Sequence, residues 1–291
     1  MNKPLVSIAI PAYKSTFLSE AIRSALNQDY TNLELIVVDD CSPDDIKDIV
    51  NNFRDPRITY IRNTVNLGHD SVAHNWNKCL ELAKGDFFIL LCDDDLLFPN
   101  MVSTMLGLAQ AHPECGMFHA NRCIRKKSGE LITDDRWPIE ESAHEFIDNK
   151  FAGKRKHTIT EFFYRTDVLK QEKYAIFPVG YYSDDATILQ LCIRQEKMIS
   201  SDEPLVVFRE SDIHITGCDQ YAEGKTRAFI QYYQFLQNHP LLTDRISPNG
   251  YECILSQYLT HCDKKTIVRL IPSLPLSRTM LRTILYLLLK R

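Results

Sequence analysis

Apolar runs and amphipathic segments alternate through the first hundred residues, and this alternation limits the fold more than any other feature of the chain. Residues 5–10, 33–38 and 87–91 are apolar almost throughout. That is the pattern of strands buried on both faces. Ile58-Thr59-Tyr60-Ile61 alternates as a strand does. Between the first two runs Phe17, Leu18, Ala21, Ile22, Ala25 and Leu26 recur at helical spacing, with Ser15 or Thr16 available as a cap. Pro43 is placed to open a second helix over Ile46, Ile49, Val50 and Phe53. The turn Asn66-Leu67-Gly68 precedes a third through Trp76, Cys79, Leu80 and Ala83, which Gly85 terminates. Strand, helix, strand at these lengths forms a right-handed crossover. Its repetition predicts an α/β fold with an open, mainly parallel, twisted sheet flanked by helices.

In such sheets ligands collect beyond the carboxyl ends of the strands. Those ends carry Pro11-Ala12-Tyr13, Asp39-Asp40 and Asp93-Asp94-Asp95. Three adjacent carboxylates at the mouth of a buried strand repel one another, and a divalent cation relieves the repulsion. A Mg2+-type site takes one or two protein carboxylates and completes its shell with water and phosphate. Taken alone, the triplet is equally a solvated turn before Pro99. Neither Gly-x-Gly-x-x-Gly nor Gly-x-x-x-x-Gly-Lys-Ser/Thr occurs, so a backbone phosphate cradle is not expected.

The second half is less regular. A helix is expected over residues 101–109, a strand over 116–119, a polar surface excursion over 125–157, a strand over 157–164 and a buried run over 205–208. Tyr181-Tyr182-Ser183-Asp184-Asp185 stands before a helical pattern. The two acids are either helix caps or a second acidic site. From residue 218 the chain reads as helical, with Phe229, Tyr232, Tyr233 and Phe235 expected in a core. The tail from Pro272 to Arg291 mixes leucines with Arg278, Arg282, Lys290 and Arg291. It suits either an anionic membrane interface or a last docked helix.

A net charge of -4 gives no basic excess for nucleic acid, so no nucleic-acid partner is expected. No run reaches membrane-spanning length and no secretory leader pattern precedes residue 5, which implies a cytoplasmic location. Nine scattered cysteines without a Cys-x-x-Cys pair read as reduced, packed thiols. His261-Cys262-Asp263 alone does not make a metal site.

Residues 6–13, 35–44, Asn66-Leu67-Gly68, 85–89 and the Asp triplet, in that order, resemble the glycosyltransferase family 2 pattern with its nucleotide-diphospho-sugar transferase (GT-A) fold. The resemblance implies a GT-A catalytic domain over 1–216, with 1–100 as the nucleotide-sugar half and 101–216 as the acceptor half, and a helical C-terminal extension over 217–291. It implies inverting transfer from a nucleotide-sugar, with a UDP-sugar the expected donor, helped by Mg2+ or Mn2+. The acceptor would be a glycan or lipid-linked oligosaccharide in cell-surface polysaccharide synthesis, reached at the inner membrane face. Pro11, Ala12, Tyr13, Asp39, Asn66, Asp93 and Asp94 match nucleotide-sugar-binding positions. Tyr13 corresponds to the residue that stacks on the base, and Asp39 to the acid that meets a uracil-type edge. Asp94 and Asp95 would hold the metal, with His214, which follows Arg209, as a further ligand. Cys92 stands where the family motif has its first acid, and Trp76 where many relatives carry a phosphate-binding Arg. Asp185 matches the general base. A carboxylate facing the leaving diphosphate can take the acceptor hydroxyl's proton during in-line displacement.

Two rival readings account for part of the pattern. A haloacid-dehalogenase-like phosphohydrolase would use Asp93 as nucleophile but expects its motif on the first core strand. A non-catalytic nucleotide-sugar-binding subunit would keep the fold without turnover.

Overall fold

The computed structural model describes residues 3–134, 136–211, 221–260, 262–273, 281–282 and 284–286; His214, His261 and most of the tail lie outside the described residues. The first half runs β1 (Val6–Ala12), α1 (Leu18–Leu26), β2 (Leu33–Asp39), α2 (Ile46–Asn51), β3 (Ile58–Arg62), α3 (Ala73–Leu82), β4 (Phe87–Leu90), β5 (Leu96–Leu97) and α4 (Met101–Ala111). The second half runs β6 (Met117–Arg125), β7 (Leu131–Thr133), β8 (Glu140–Ser142), α5 (Ala143–Phe151), β9 (Phe162–Arg165), α6 (Thr166–Glu172), α7 (Ser183–Gln195) and β10 (Lys197–Arg209). It ends with α8 (Ala222–Asn238), α9 (Pro248–Thr260) and α10 (Lys264–Leu270).

One mixed sheet has the order β3-β2-β1-β4-β9-β6-β10-β5, with β7 beside β6 and β8 beside β10. The first four strands are parallel, as the crossover pattern requires. Antiparallel β9 joins them to the pair β6 and β10, which run parallel to each other. The inner strands are apolar throughout because both faces are covered. Ile8, Ile10, Leu35, Val37 and Ile89 pack on the side of α1, α2 and α4. Ala9, Ile36, Val38, Phe88 and Leu90 pack on the side of α3, α5, α7 and α8. Each fully buried side chain of this size is worth about 1.5–3 kcal/mol. Phe229, Tyr232 and Tyr233 of α8 join the second cluster, as expected of core aromatics.

Three sequence expectations need correction. Helix α1 begins at Leu18 and Phe17 occupies the N-cap position without a side-chain cap. Ser15 and Thr16 do not cap it, because the Ser15 amide is tied to Asp44 Oδ2 at 2.9 Å and the Ser15 carbonyl accepts from Leu18 N at 3.3 Å. Residues 125–157 are not a surface excursion. Trp137, Phe146, Ile147 and Phe151 are buried in the core, and Ser142 with Glu145 forms a capping box that starts α5. The strand expected over 157–164 begins only at Phe162. Ile159–Glu161 is a 3-10 turn, because Glu161 turns back to accept from Thr158 N at 2.6 Å.

Candidate active site

The ends of β1 and β4 meet at the acidic triplet. Asp93 Oδ2 accepts from the amides of Tyr13 and Lys14 at 2.9 and 2.8 Å. Those amides fasten the aromatic turn to the triplet and leave Tyr13 40% exposed. Lys14 Nζ reaches Asp94 Oδ2 at 3.2 Å and Asp93 Oδ1 at 4.0 Å. Burial pushes the Asp93 carboxyl up to about 6, while Lys14 pulls against it. Burial works to lower Lys14, yet Asp93 and Asp94 hold its ammonium above the usual value.

Asp95 is almost wholly buried. It accepts from Thr160 Oγ1 at 2.8 Å and Arg209 N at 3.1 Å. Burial, then the neighbouring Asp94, pushes it up to about 8. Arg209 also donates from Nε to the Asp94 carbonyl at 3.0 Å, and its guanidinium lies 4.0 Å from the Phe17 ring centre. The Asp94 backbone is therefore clamped, while its carboxylate, 13% exposed, meets Lys14.

Cys92, Asp94 and Asp95 each offer a ligand atom within 4.8 Å of the others. Burial, then Asp95, holds the Cys92 thiol well above its usual range, so it stays protonated and is a weak ligand. Two carboxylates remain, together with a lysine ammonium already serving as counter-charge. This donor set fits a hard divalent cation that shares its shell with a diphosphate.

Asp39 is fully buried. Its Oδ1 accepts from Ser42 N at 2.8 Å, and its Oδ2 from Tyr60 OH at 2.7 Å and from Arg62 Nη1. Arg62, with its side chain 44% exposed, pairs with this buried carboxylate. Asp40 shapes the neighbouring loop by accepting from Leu67 N at 2.8 Å and Gly68 N at 2.7 Å. A Cβ at Gly68 would lie 2.8 Å from Asp40 Oδ2, so a side chain there would push on the carboxylate that holds the loop. Next to it Asn66 Oδ1 is buried without a partner.

The second acidic site opens α7. Val179, Gly180 and Tyr182 all have positive φ, at 53°, 78° and 66°. Each such non-glycine residue costs about 1–3 kcal/mol and persists only where packing enforces it. Here the Tyr182 ring stacks on Tyr232 of α8 at 4.6 Å, and a Cβ at Gly224 of α8 would meet Val179 Cγ1 at 2.6 Å. The C-terminal helices thus brace the turn that presents Asp184 and Asp185.

Lys150 pairs with Asp185 Oδ1, and His157 Nε2 lies 3.7 Å from that oxygen and 3.8 Å from Asp184 Oδ2. Burial, then Lys150, drives His157 well below its usual value, so the ring is neutral. Burial, then Asp185, raises Asp184 to about 7. Asp185 lines a cavity of about 730 Å3.

Residues 157–161 join the two acidic sites. His157 faces Asp184 and Asp185, while Thr160 Oγ1 holds Asp95 and also accepts from Cys92 N at 3.2 Å. Glu161 fixes the segment between His119 Nε2 at 3.1 Å and Arg122 Nη1 at 2.7 Å. Sequence reasoning missed Lys14, Lys150, His157 and Thr160. The Thr158-x-x-Glu161 spacing was the one local sign that this segment turns.

Residues 7–171 match the family model described as Glycosyl transferase family 2. Over 259 residues the chain is 39% identical to the putative colanic acid biosynthesis glycosyl transferase WcaA of Escherichia coli K12, covering 84% of this chain and 85% of that protein. It is 28% identical over 248 residues to the GalNAc(5)-diNAcBac-PP-undecaprenol beta-1,3-glucosyltransferase of Campylobacter jejuni, covering 81% and 75%. Among solved structures, S. aureus TarS 1-349 in complex with UDP-GlcNAc superposes with a TM-score of 0.65 at 15% identity, covering 90% of this chain and 83% of that one. That likeness gives the fold, which is GT-A-like.

Proposed function

The chain belongs to glycosyl transferase family 2 and is a glycosyltransferase, and from that premise we propose an inverting, metal-dependent transfer from a UDP-sugar to a hydroxyl of a glycan or lipid-linked saccharide. One observation carries this reading: residues 157–161 tie the loop of Asp94 and Asp95 to the turn of Asp184 and Asp185. A donor diphosphate and an acceptor hydroxyl would then be held by one rigid frame.

In this reading Tyr13 stacks on the base and Asp39 meets its edge once Arg62 moves aside. Pro11, Ala12, Asn66 and Asp93 line the donor pocket, where the unpartnered Asn66 Oδ1 is an acceptor awaiting a donor. Asp94 with Asp95 would hold Mg2+ or Mn2+, which when bound neutralises charge on the departing diphosphate. Asp185 takes the proton of the acceptor hydroxyl as its oxygen bonds to the anomeric carbon and the nucleoside diphosphate leaves from the opposite face. Residues 1–216 serve as the catalytic domain and 217–291 as the extension that braces the base. The C. jejuni relative is named for a diphospho-undecaprenol acceptor, which supports a lipid-linked acceptor and work at the inner membrane face. No helix among the described residues is long and apolar enough to cross a membrane.

The test is a panel of nucleotide-sugars assayed for Mn2+-stimulated hydrolysis, followed by Asp185→Asn. Hydrolysis of a UDP-sugar by the wild type, and a fall of about 10²–10⁴-fold in transfer by the variant with UDP binding retained, is the expected pair of results. Wild-type transfer rates in the variant would remove Asp185 from the mechanism. Generic phosphoester hydrolysis would favour the phosphohydrolase reading.

A further inference from the structure

We propose that the ion site at the acidic triplet is a mixed sulfur and oxygen site, in which Cys92 Sγ is a third ligand and selects thiophilic divalent ions such as Zn2+ over Mg2+. The proposal rests on Asp94 and Asp95 as the ion's carboxylates. Cys92 is half-buried, and its ligand atom lies within 4.8 Å of those of Asp94 and Asp95. Zinc bonds to sulfur are about 2.3 Å long and to carboxylate oxygen about 2.0–2.2 Å, so two ligands of one ion stand at most about 4.5 Å apart. The three side chains therefore need little movement to close on one ion.

One frame holds the three donors. Thr160 Oγ1 accepts from Cys92 N at 3.2 Å and donates to Asp95 Oδ2 at 2.8 Å. Arg209 donates from N to Asp95 Oδ1 at 3.1 Å and from Nε to the Asp94 carbonyl at 3.0 Å. Each Asp95 oxygen thus meets one donor and keeps a second lone pair for an ion. Asp93 stands apart, because its Oδ2 takes the amides of Tyr13 and Lys14. Ligands fixed in this way lose little freedom when an ion arrives.

Selectivity follows from the donor atoms. Mg2+ prefers oxygen and gains little from a thiol, whereas Zn2+ and Co2+ bond thiolate sulfur strongly. When a thiophilic ion binds, the S–H bond of Cys92 gives way to an Sγ–metal bond and the proton leaves to solvent. The Lys14 ammonium, 3.2 Å from Asp94 Oδ2, repels every divalent ion alike, so it lowers all the affinities and leaves their order to the sulfur. His157, Asp184 and Asp185 also offer ligand atoms within 4.8 Å of one another, but that group has no sulfur, and Lys150 pairs with Asp185 there. A sulfur signal therefore separates the two places.

The experiment titrates the full chain with Co2+ as a spectroscopic substitute for Zn2+, followed by competition with Zn2+ and with Mg2+. Wild type should develop a sulfur-to-cobalt charge-transfer band in the near ultraviolet, which stoichiometric Zn2+ abolishes and excess Mg2+ does not. Cys92→Ser should lose the band with unchanged circular dichroism. Removing even a partner behind a metal ligand weakens binding by about 10–100-fold, so Zn2+ affinity in this variant should fall by at least that much. Cys41→Ser/Cys218→Ser/Cys253→Ser should keep the band, and Asp94→Asn/Asp95→Asn should lose it. Absence of the band in wild type, or its survival in Cys92→Ser, overturns the sulfur ligand and leaves Asp94 and Asp95 as an oxygen site. Survival of the band in Asp94→Asn/Asp95→Asn overturns the mixed site. Wild-type failure to hydrolyse any UDP-sugar with Mn2+ would instead strike the proposed transfer reaction, which the spectrum does not measure.

Discussion

Thr160→Val probes the link between the two acidic sites with almost no change in volume. Thr160 is fully buried, its hydroxyl donates to Asp95 Oδ2 at 2.8 Å, and its oxygen accepts from Cys92 N at 3.2 Å. A hydrogen bond to an ionisable partner is worth about 1.5–3 kcal/mol, and a buried amide left without a partner costs about 1–3 kcal/mol. The two overlap, because the chain around Cys92 and Asp95 relaxes as one unit, so the expected loss in urea unfolding is about 2–4 kcal/mol. A second effect falls on the cation. Burial already raises Asp95 to about 8, and Thr160 acts to lower it. Without the hydroxyl the carboxyl rises further and holds its proton more firmly. A divalent ion must displace that proton, so half-saturation in Mn2+-stimulated hydrolysis of the donor should move up by about tenfold for each 1.4 kcal/mol by which the proton is held more firmly. The shift should be largest below pH 8, where the proton is present. Thr160→Ser keeps the hydroxyl and should restore both properties. If Thr160→Val unfolds and titrates Mn2+ like the wild type, the segment is not a coupling between the sites.

Three further perturbations address Asp184, Tyr13 and the start of the first strand. Burial, and then Asp185, pushes the Asp184 carboxyl up to about 7. Its ionisation adds a negative charge beside the base and strengthens it, so the transfer rate should rise as pH passes through about 7. Asp184→Asn should flatten that step, and an unchanged profile would detach Asp184 from the base. Tyr13→Ala removes the ring of a residue that is 40% exposed and should lower UDP affinity by roughly 10- to 100-fold, from about 1–3 kcal/mol of stacking, with unfolding unaffected. An unchanged Kd would show that the base binds elsewhere. Gly85→Ala would place a Cβ 2.7 Å from both Leu5 O and Ser7 N, which are backbone atoms of the first strand's entry. Urea unfolding should show a loss of roughly 1–3 kcal/mol, and wild-type stability would mean that the strand shifts freely.

The parallel half of the sheet was legible because burial on both faces leaves strands such as Phe87–Leu90 without polar positions, and the helices between them show one apolar stripe each. The strand ends were legible for the same reason: an apolar run that stops at Asp93 can hide no charge before it. Residues 125–164 were not. Phe146, Ile147 and Phe151 do sit at helical spacing, and Ser142 with Glu145 does mark a helix start, but the polar residues around them outweigh that stripe in any local window. Thr158-Ile159-Thr160-Glu161 alternates like a strand, yet the demand on Glu161 is tertiary: it must meet His119, Arg122 and its own Thr158 together, and only a turn allows this. Asp185 could be found from its place at a helix start, whereas Lys150 and His157 carry no local mark of their use. A lysine and a histidine on polar segments look like solvent-facing residues until the fold brings them to one carboxylate. Residues that bear the chemistry of a site thus announce themselves when they end an element. Those that tune it come from mid-segment positions, where their partners are distant in the chain and the pairing exists only in three dimensions.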